Sequence, residues 1–371
     1  MPDFISNRLT TLLLAALAAG CASHIPSTDS RDLAARGASL DGDTFVEAAR
    51  AGNLGLVDHF LKAGMPPEAT NRFGCTALMW AAGQGREAIL ERLLAQGASP
   101  GIRARDGATA LIFAARQGRV GSAGILLTHG ANLDARCLDG SGALMAAAAE
   151  NRTAMVEFLL ARGAATDARD REGCTALHYA AGNVKNEDAN GENFPAVEKL
   201  IQHGADPDAR ARDGATPLMW AAHKGENRTL QLLLEHSATV NHQQAEGKTA
   251  LMFAASGRAD PGVAALLIAS DAKVDLQDRA GETALMQACR RKRPGMALAL
   301  IRAGANLNLQ DHQGRSALMI AASYGNEQIV EALLTAGVDT TLKTVEGRTA
   351  YDFALERKMD AFLPRLKLIA K

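Results

Sequence analysis

The residues of this chain that could do chemistry beyond packing are five cysteines, nine histidines and one dense basic run, Arg290-Arg291-Lys292-Arg293. No two cysteines stand in Cys-x-x-Cys spacing, so the usual redox and zinc motifs are missing. The histidines are scattered, without His-Glu-x-x-His, and neither Gly-x-Ser-x-Gly nor a phosphate loop appears. His223, beside Lys224, reads as a solvated histidine on a surface that could face a partner. Catalysis needs groups that converge, and these do not converge in sequence. The expectation is therefore a non-catalytic protein without cofactor or metal, and an enzyme with an unrecognised site is the weakest reading.

The elements that carry these residues keep a fixed rhythm. Gly74, Gly107, Gly140, Gly173, Gly214, Gly247, Gly281, Gly314 and Gly347 recur about every 33 residues, with one longer step after Gly173. Such a period marks a stacked array. Two residues after these glycines stand Thr76, Thr109, Thr175, Thr216, Thr249, Thr283, Ser316 and Thr349. A hydroxyl there can cap a helix, worth about 1 kcal/mol. A short Ala-rich helix follows, as in Ala77-Leu78-Met79-Trp80-Ala81-Ala82, and then a turn glycine such as Gly85 or Gly118. A second helix ends in pairs such as Leu93-Leu94 and Leu126-Leu127, stopped by Gly97 and Gly130. Ser237 and Asp271 replace that stop in two repeats, at roughly 1 kcal/mol each for a left-handed non-glycine.

Gly-x-Thr-Ala-Leu-x-x-Ala-Ala followed by Leu-Leu-x-x-Gly-Ala resembles the ankyrin repeat family over residues 42–371. The resemblance implies an all-α solenoid of about ten helix-turn-helix repeats with β-turn or hairpin fingers, filling the domain 43–371. The first repeat, from Asp43, lacks a finger and should cap the stack. The last should close it with a helix from Ala361 to Lys371. The family's histidine survives only as His178, while Met79, Met145, Met219, Met252, Met286 and Met319 stand in its place, so apolar packing must hold more of the stack. Repeat four carries Gly142 for the capping Thr and Asn151 for the turn glycine, which makes it the loosest internal repeat. Trp80, Phe113, Tyr179, Trp220 and Phe253 share one position and read as an aromatic ladder in the core. Cys137 and Cys174 lie near adjacent fingers, and their pairing is left open, since a disulfide needs Cα atoms within about 7 Å. Cys289 replaces an alanine and should pack as a small apolar residue.

The N-terminus is a different text. Leu9 to Gly20 is an apolar run too short to span a bilayer, which takes about 20 residues. Residues 1–20 suit a signal peptide, and Leu17-Ala18-Ala19-Gly20-Cys21 resembles a bacterial lipobox. That resemblance implies lipidation of Cys21, with residues 21–42 as a flexible tether. Ala22 after the cysteine implies a bacterial outer-membrane lipoprotein facing the periplasm. Ordinary cleavage nearby would instead leave a soluble periplasmic or secreted protein.

Charge is balanced, with 40 Lys and Arg against 41 Asp and Glu, and aromatics are 4%. Both argue against a nucleic-acid partner. The family's variable positions flank the marker glycine and end the first helix. Carried onto this chain, they give Arg72, Phe73, Arg105, Arg116, Arg171, Arg212, His223, Lys224, Arg279, Arg290, Arg291, His312 and Tyr324. This set is richer in cations than the whole chain. It reads either as a solvated charged face or as a groove for an acidic protein partner. The expected function is a protein-protein interaction module, a monomer joined to the membrane by its N-terminal lipid. The alternative is binding of an anionic envelope polymer or lipid headgroup. The insertion between Gly182 and Pro195 is open to two readings, a binding feature or surface drift.

Overall fold

The computed structural model describes residues 41–182 and 194–367. The signal, Cys21, the tether, the insertion at 183–193 and the chain end at 368–371 lie outside the described residues. Twenty helices occur among the described residues. They fall into two compact halves, the first ending at Asp206 and the second beginning at Pro207. None is long and apolar enough to cross a membrane.

The first half holds α1 (Gly42–Ala51), α2 (Leu54–Lys62), α3 (Ala77–Gln84), α4 (Glu87–Ala95), α5 (Ala110–Gln117), α6 (Val120–Thr128), α7 (Ala143–Ala149), α8 (Thr153–Leu160), α9 (Ala176–Ala181) and α10 (Phe194–Gln202). The second holds α11 (Pro217–Lys224), α12 (Asn227–Glu235), α13 (Ala250–Ser256), α14 (Pro261–Ala269), α15 (Ala284–Arg290), α16 (Pro294–Arg302), α17 (Ala317–Ser323), α18 (Glu327–Thr335), α19 (Ala350–Glu356) and α20 (Leu363–Lys367). Within each half, odd-numbered helices pack on the next odd-numbered helix and even-numbered on even-numbered. Helices of this length are marginal alone, so the stack must supply their stability. Leu78, Met79, Leu111, Ile112 and Leu126 are fully buried in the first half. Each such side chain contributes about 1.5–3 kcal/mol by leaving water.

The expected methionine core is present: Met79, Met145, Met219, Met252, Met286 and Met319 are all buried. Met79 also does part of a histidine's work, because its Sδ accepts the Thr76 N–H at 3.5 Å. At His178 the same bond goes to Nδ1, 3.1 Å from Thr175 N.

Capping is less uniform than the threonine column suggests. Thr76, Thr249, Thr283 and Ser316 accept from the backbone as expected. Thr109 and Thr216 do not, and their buried hydroxyls have no partner. Thr349 donates instead to Asp352 at 2.9 Å. In repeat four, Gly142 makes no side-chain cap bond. It borders a cavity of about 20 Å³ lined also by Leu133, Met145 and Ala168.

Ser237 (φ 64°) and Asp271 (φ 66°) adopt the left-handed backbone expected of them, as does Asn151 (φ 50°). Lys292 (φ 54°) and Lys358 (φ 56°) do so too, without a sequence signal that marked them. None of the four repeat cysteines forms a disulfide, and all four are buried. Cys289 is fully buried and its thiol is pushed far up by desolvation, so it packs as an apolar residue.

Candidate protein-binding surface

The fingers are turns closed by Asx-type bonds. Asn71 Oδ1 accepts from Phe73 N and Cys75 N, both at 3.0 Å. Asp170 and Asp278 make the equivalent pairs of bonds in their own fingers. Among the described residues only isolated antiparallel bridges occur, such as Arg136 with Gly142 and Gln310 with Ser316.

Successive fingers are joined by main chain. Leu138 N donates to Asp106 O at 2.7 Å and Arg171 N to Asp139 O at 2.8 Å. In the second half Ala245 N bonds Asp213 O at 2.7 Å, Arg279 N bonds Glu246 O at 2.8 Å, and His312 N bonds Ala280 O at 3.0 Å. This explains the marker glycine twice over. Gly140 has φ 85°, which favours glycine, and a Cβ on it would stand 2.9 Å from the Arg171 nitrogen of the next finger.

Side chains add a second ladder four residues before several of the marker glycines. Arg103 donates to Arg136 O at 2.6 Å, and Arg136 to Arg169 O at 3.0 Å. In the second half glutamines take over: Gln243 bonds Gln277 O and Gln277 bonds Gln310 O, each at 3.0 Å. A third ladder follows the turn after the first helix. Arg86, Arg119 and Arg152 reach back to the carbonyls of Arg50, Gly83 and Arg116 at 3.3–3.4 Å. These ladders were missed in sequence, although their arginines keep the same 33-residue beat.

The candidate residues separate against this frame. Arg72, Arg105, Arg171, Arg212, Arg279 and His312 are exposed at the fingertips. Phe73 is half-buried, with the Arg72 guanidinium 4.9 Å from its ring centroid. Arg116 and Lys224 are half-buried at the ends of α5 and α11, and Arg291 is exposed beyond α15. His223 corrects the expectation of a solvated histidine. It is 8% exposed and its ring packs edge-on against Phe253, with centroids 6.2 Å apart.

The basic run also needs correction. Arg290 is paired with Glu282 and donates to the Tyr324 hydroxyl at 3.4 Å, above whose ring it lies. Arg293 donates to the carbonyls of Ala254, Gly257 and Ala259 in the preceding repeat, and desolvation lowers its pKa. Glu282 is buried, accepts from Gln287 at 2.6 Å, and lies 3.6 Å from Arg315. Two of the four cations in the run are therefore engaged in structure. Charge density along a sequence does not reveal such partners.

The aromatic ladder is core at Phe113, Tyr179 and Trp220, while Trp80 and Phe253 are half-buried. Trp80 meets Phe113 edge-on at 6.0 Å, with the Arg50 guanidinium 5.8 Å above it. Burial and the nearby Asp139 charge push the Cys137 thiol up to about 11, so it is no nucleophile at neutral pH. Among the described residues no group of three or more His, Cys, Asp or Glu could hold a metal ion.

Stacked helix pairs and laced fingers define a helical repeat protein. Comparison with known proteins agrees. A family model described as ankyrin repeats (3 copies) matches residues 45–137, 187–278 and 259–344, and a second, ankyrin repeats (many copies), matches 126–180. The chain belongs to the ankyrin repeat family. The crystal structure of the human ASB11 ankyrin repeat domain is similar in fold, with TM-score 0.56 and 24% identity, over 62% of this chain and 99% of that one. No match was found among curated proteins.

Proposed function

We propose that this protein is a non-catalytic interaction module, displayed in the periplasm from a lipid on Cys21, whose fingertips bind an acidic protein partner. The family is generally one of protein-protein interaction modules, typically non-enzymatic. The observation that carries the finer reading is the fingertip row. Main-chain bonds from finger to finger, as at Arg171 and Arg279, leave the tip side chains out, and five of those side chains are exposed arginines: Arg72, Arg105, Arg171, Arg212 and Arg279. Exposed cations on a rigid frame steer and orient an acidic partner. Apolar tips such as Leu138 and Val345, 54% and 77% exposed, favour a protein over a purely anionic polymer, which has nothing to place on them.

Affinity capture with the full chain from detergent-solubilised envelope tests the reading. A stable protein partner that elutes with salt is expected. Recovery of glycan or lipid alone, with no protein, would refute it and support the polymer alternative.

A further inference from the structure

Cations of the two halves differ in what already occupies them. In the second half Arg290, Arg315 and Arg348 are paired with Glu282, Asp311 and Glu356. Its fingertips run Arg212, Ala245, Arg279, His312, Val345, so no two arginines are adjacent. In the first half the fingertips run Arg72, Arg105, Leu138, Arg171. All four are exposed, and among the described residues none of the three arginines pairs with a carboxylate.

Main-chain donors hold three of the four positions. Arg72 N donates to Asp43 Oδ1 at 2.8 Å, and Leu138 and Arg171 are bonded as described above. Arg105 Cγ stands against the marker glycine of the preceding repeat, 3.0 Å from where a Cβ on Gly74 would lie. The row's own carboxylates at Asp106 and Asp139 are turned inward. Asp106 Oδ1 accepts from Ala108 N at 3.0 Å; Asp139 Oδ1 accepts from Ser141 N at 2.8 Å and from its hydroxyl at 2.6 Å.

Spacing then selects the ligand. Packed helical repeats stand about 10 Å apart, and an extended peptide in the polyproline II conformation rises about 3.1 Å per residue with three residues per turn, so every third side chain points the same way. Three residues of peptide therefore pass each fingertip. We propose that Arg72, Arg105, Leu138 and Arg171 bind an extended acidic segment of a partner protein, whose carboxylates lie three residues apart and whose apolar side chain seats on Leu138. This deepens the acidic-partner reading and rests on it. It also moves the site away from the basic run at 290–293.

The test uses the full mature chain and fluorescein-labelled ten-residue peptides in fluorescence anisotropy at low ionic strength. One peptide carries Glu at its first, fourth and tenth positions and Leu at its seventh, with Gly and Ser between. A second reverses that order, and a third has the same composition with the Glu and Leu residues clustered. One of the two spaced peptides should bind at least about tenfold more tightly than the clustered one. That advantage should vanish in Arg72→Glu/Arg105→Glu/Arg171→Glu and shrink in Leu138→Ser, while Lys273→Glu/Arg302→Glu, two exposed second-half cations off the fingertip row, keeps it. Circular dichroism melts check that each variant folds. Equal binding of all three peptides, no binding, or equal loss in the second-half variant would overturn the proposal. An envelope partner captured undiminished by the first-half triple variant would also overturn it, yet leave the protein-binding reading standing.

Discussion

The Tyr179 hydroxyl donates to the Asp170 carboxylate, joining the first helix of repeat five to its own finger. Gln287 stands in the same relation to Asp278 in repeat eight, at 3.5 Å. In each case the position read as an aromatic ladder also anchors a finger aspartate. Burial raises the pKa of Asp170 above its ordinary value, partly opposed by the bond from Tyr179.

This fixes the sign of a pH effect. A carboxyl whose folded pKa is raised contributes stability that is fully present below its unfolded pKa, near 3.9, and lost as pH rises through the folded value. Asp170→Asn should remove that loss. Asn71 already makes the equivalent turn with a neutral side chain. Urea melts at pH 4 and pH 7 should show the variant gaining on the wild type at the higher pH. An equal difference at both values would contradict the burial argument.

Gly142→Thr should stabilise the chain. Gly142 has an extended backbone (φ −118°) open to any residue, and its Cβ would meet Ala135 O at 3.4 Å, an ordinary contact. The new hydroxyl can cap α7 and the methyl can occupy the cavity. The expected gain is about 1 kcal/mol, read as a higher urea midpoint with unchanged slope. A lower midpoint would mean that the cavity cannot take the side chain.

Arg293→Ala should weaken folding without weakening partner capture. It leaves the carbonyls of Ala254, Gly257 and Ala259 without their donor, a cost of about 1–3 kcal/mol. A loss of binding in protein that melts normally would restore Arg293 to the partner surface.

The anchor has its own test. Mass spectrometry of the mature N-terminus should find an acylated Cys21, and Cys21→Ala should release the protein from membranes. An unmodified start downstream would make it soluble.

Much of the fold was legible because the array repeats its instructions. The marker glycines, the Leu-Leu pairs and the left-handed Ser237 and Asp271 were readable locally, since each depends on its own few residues. The ladders were not. Arg119 bonds Gly83 O across 36 residues, and only the stack brings the two together. The candidate surface was legible as a column but not as a set of free charges. Arg290 and Arg171 look alike in sequence, yet one is matched with Glu282 and the other is not. Threonine caps failed at Thr109 and Thr216 although the residue type was right.

The bonds that join one fingertip to the next run through main-chain nitrogens and oxygens, which every residue except proline supplies in the same form. The identity of the tip side chain is thus uncoupled from the frame that presents it. Such a protein can change what it recognises one letter at a time, by substitutions that leave its fold intact.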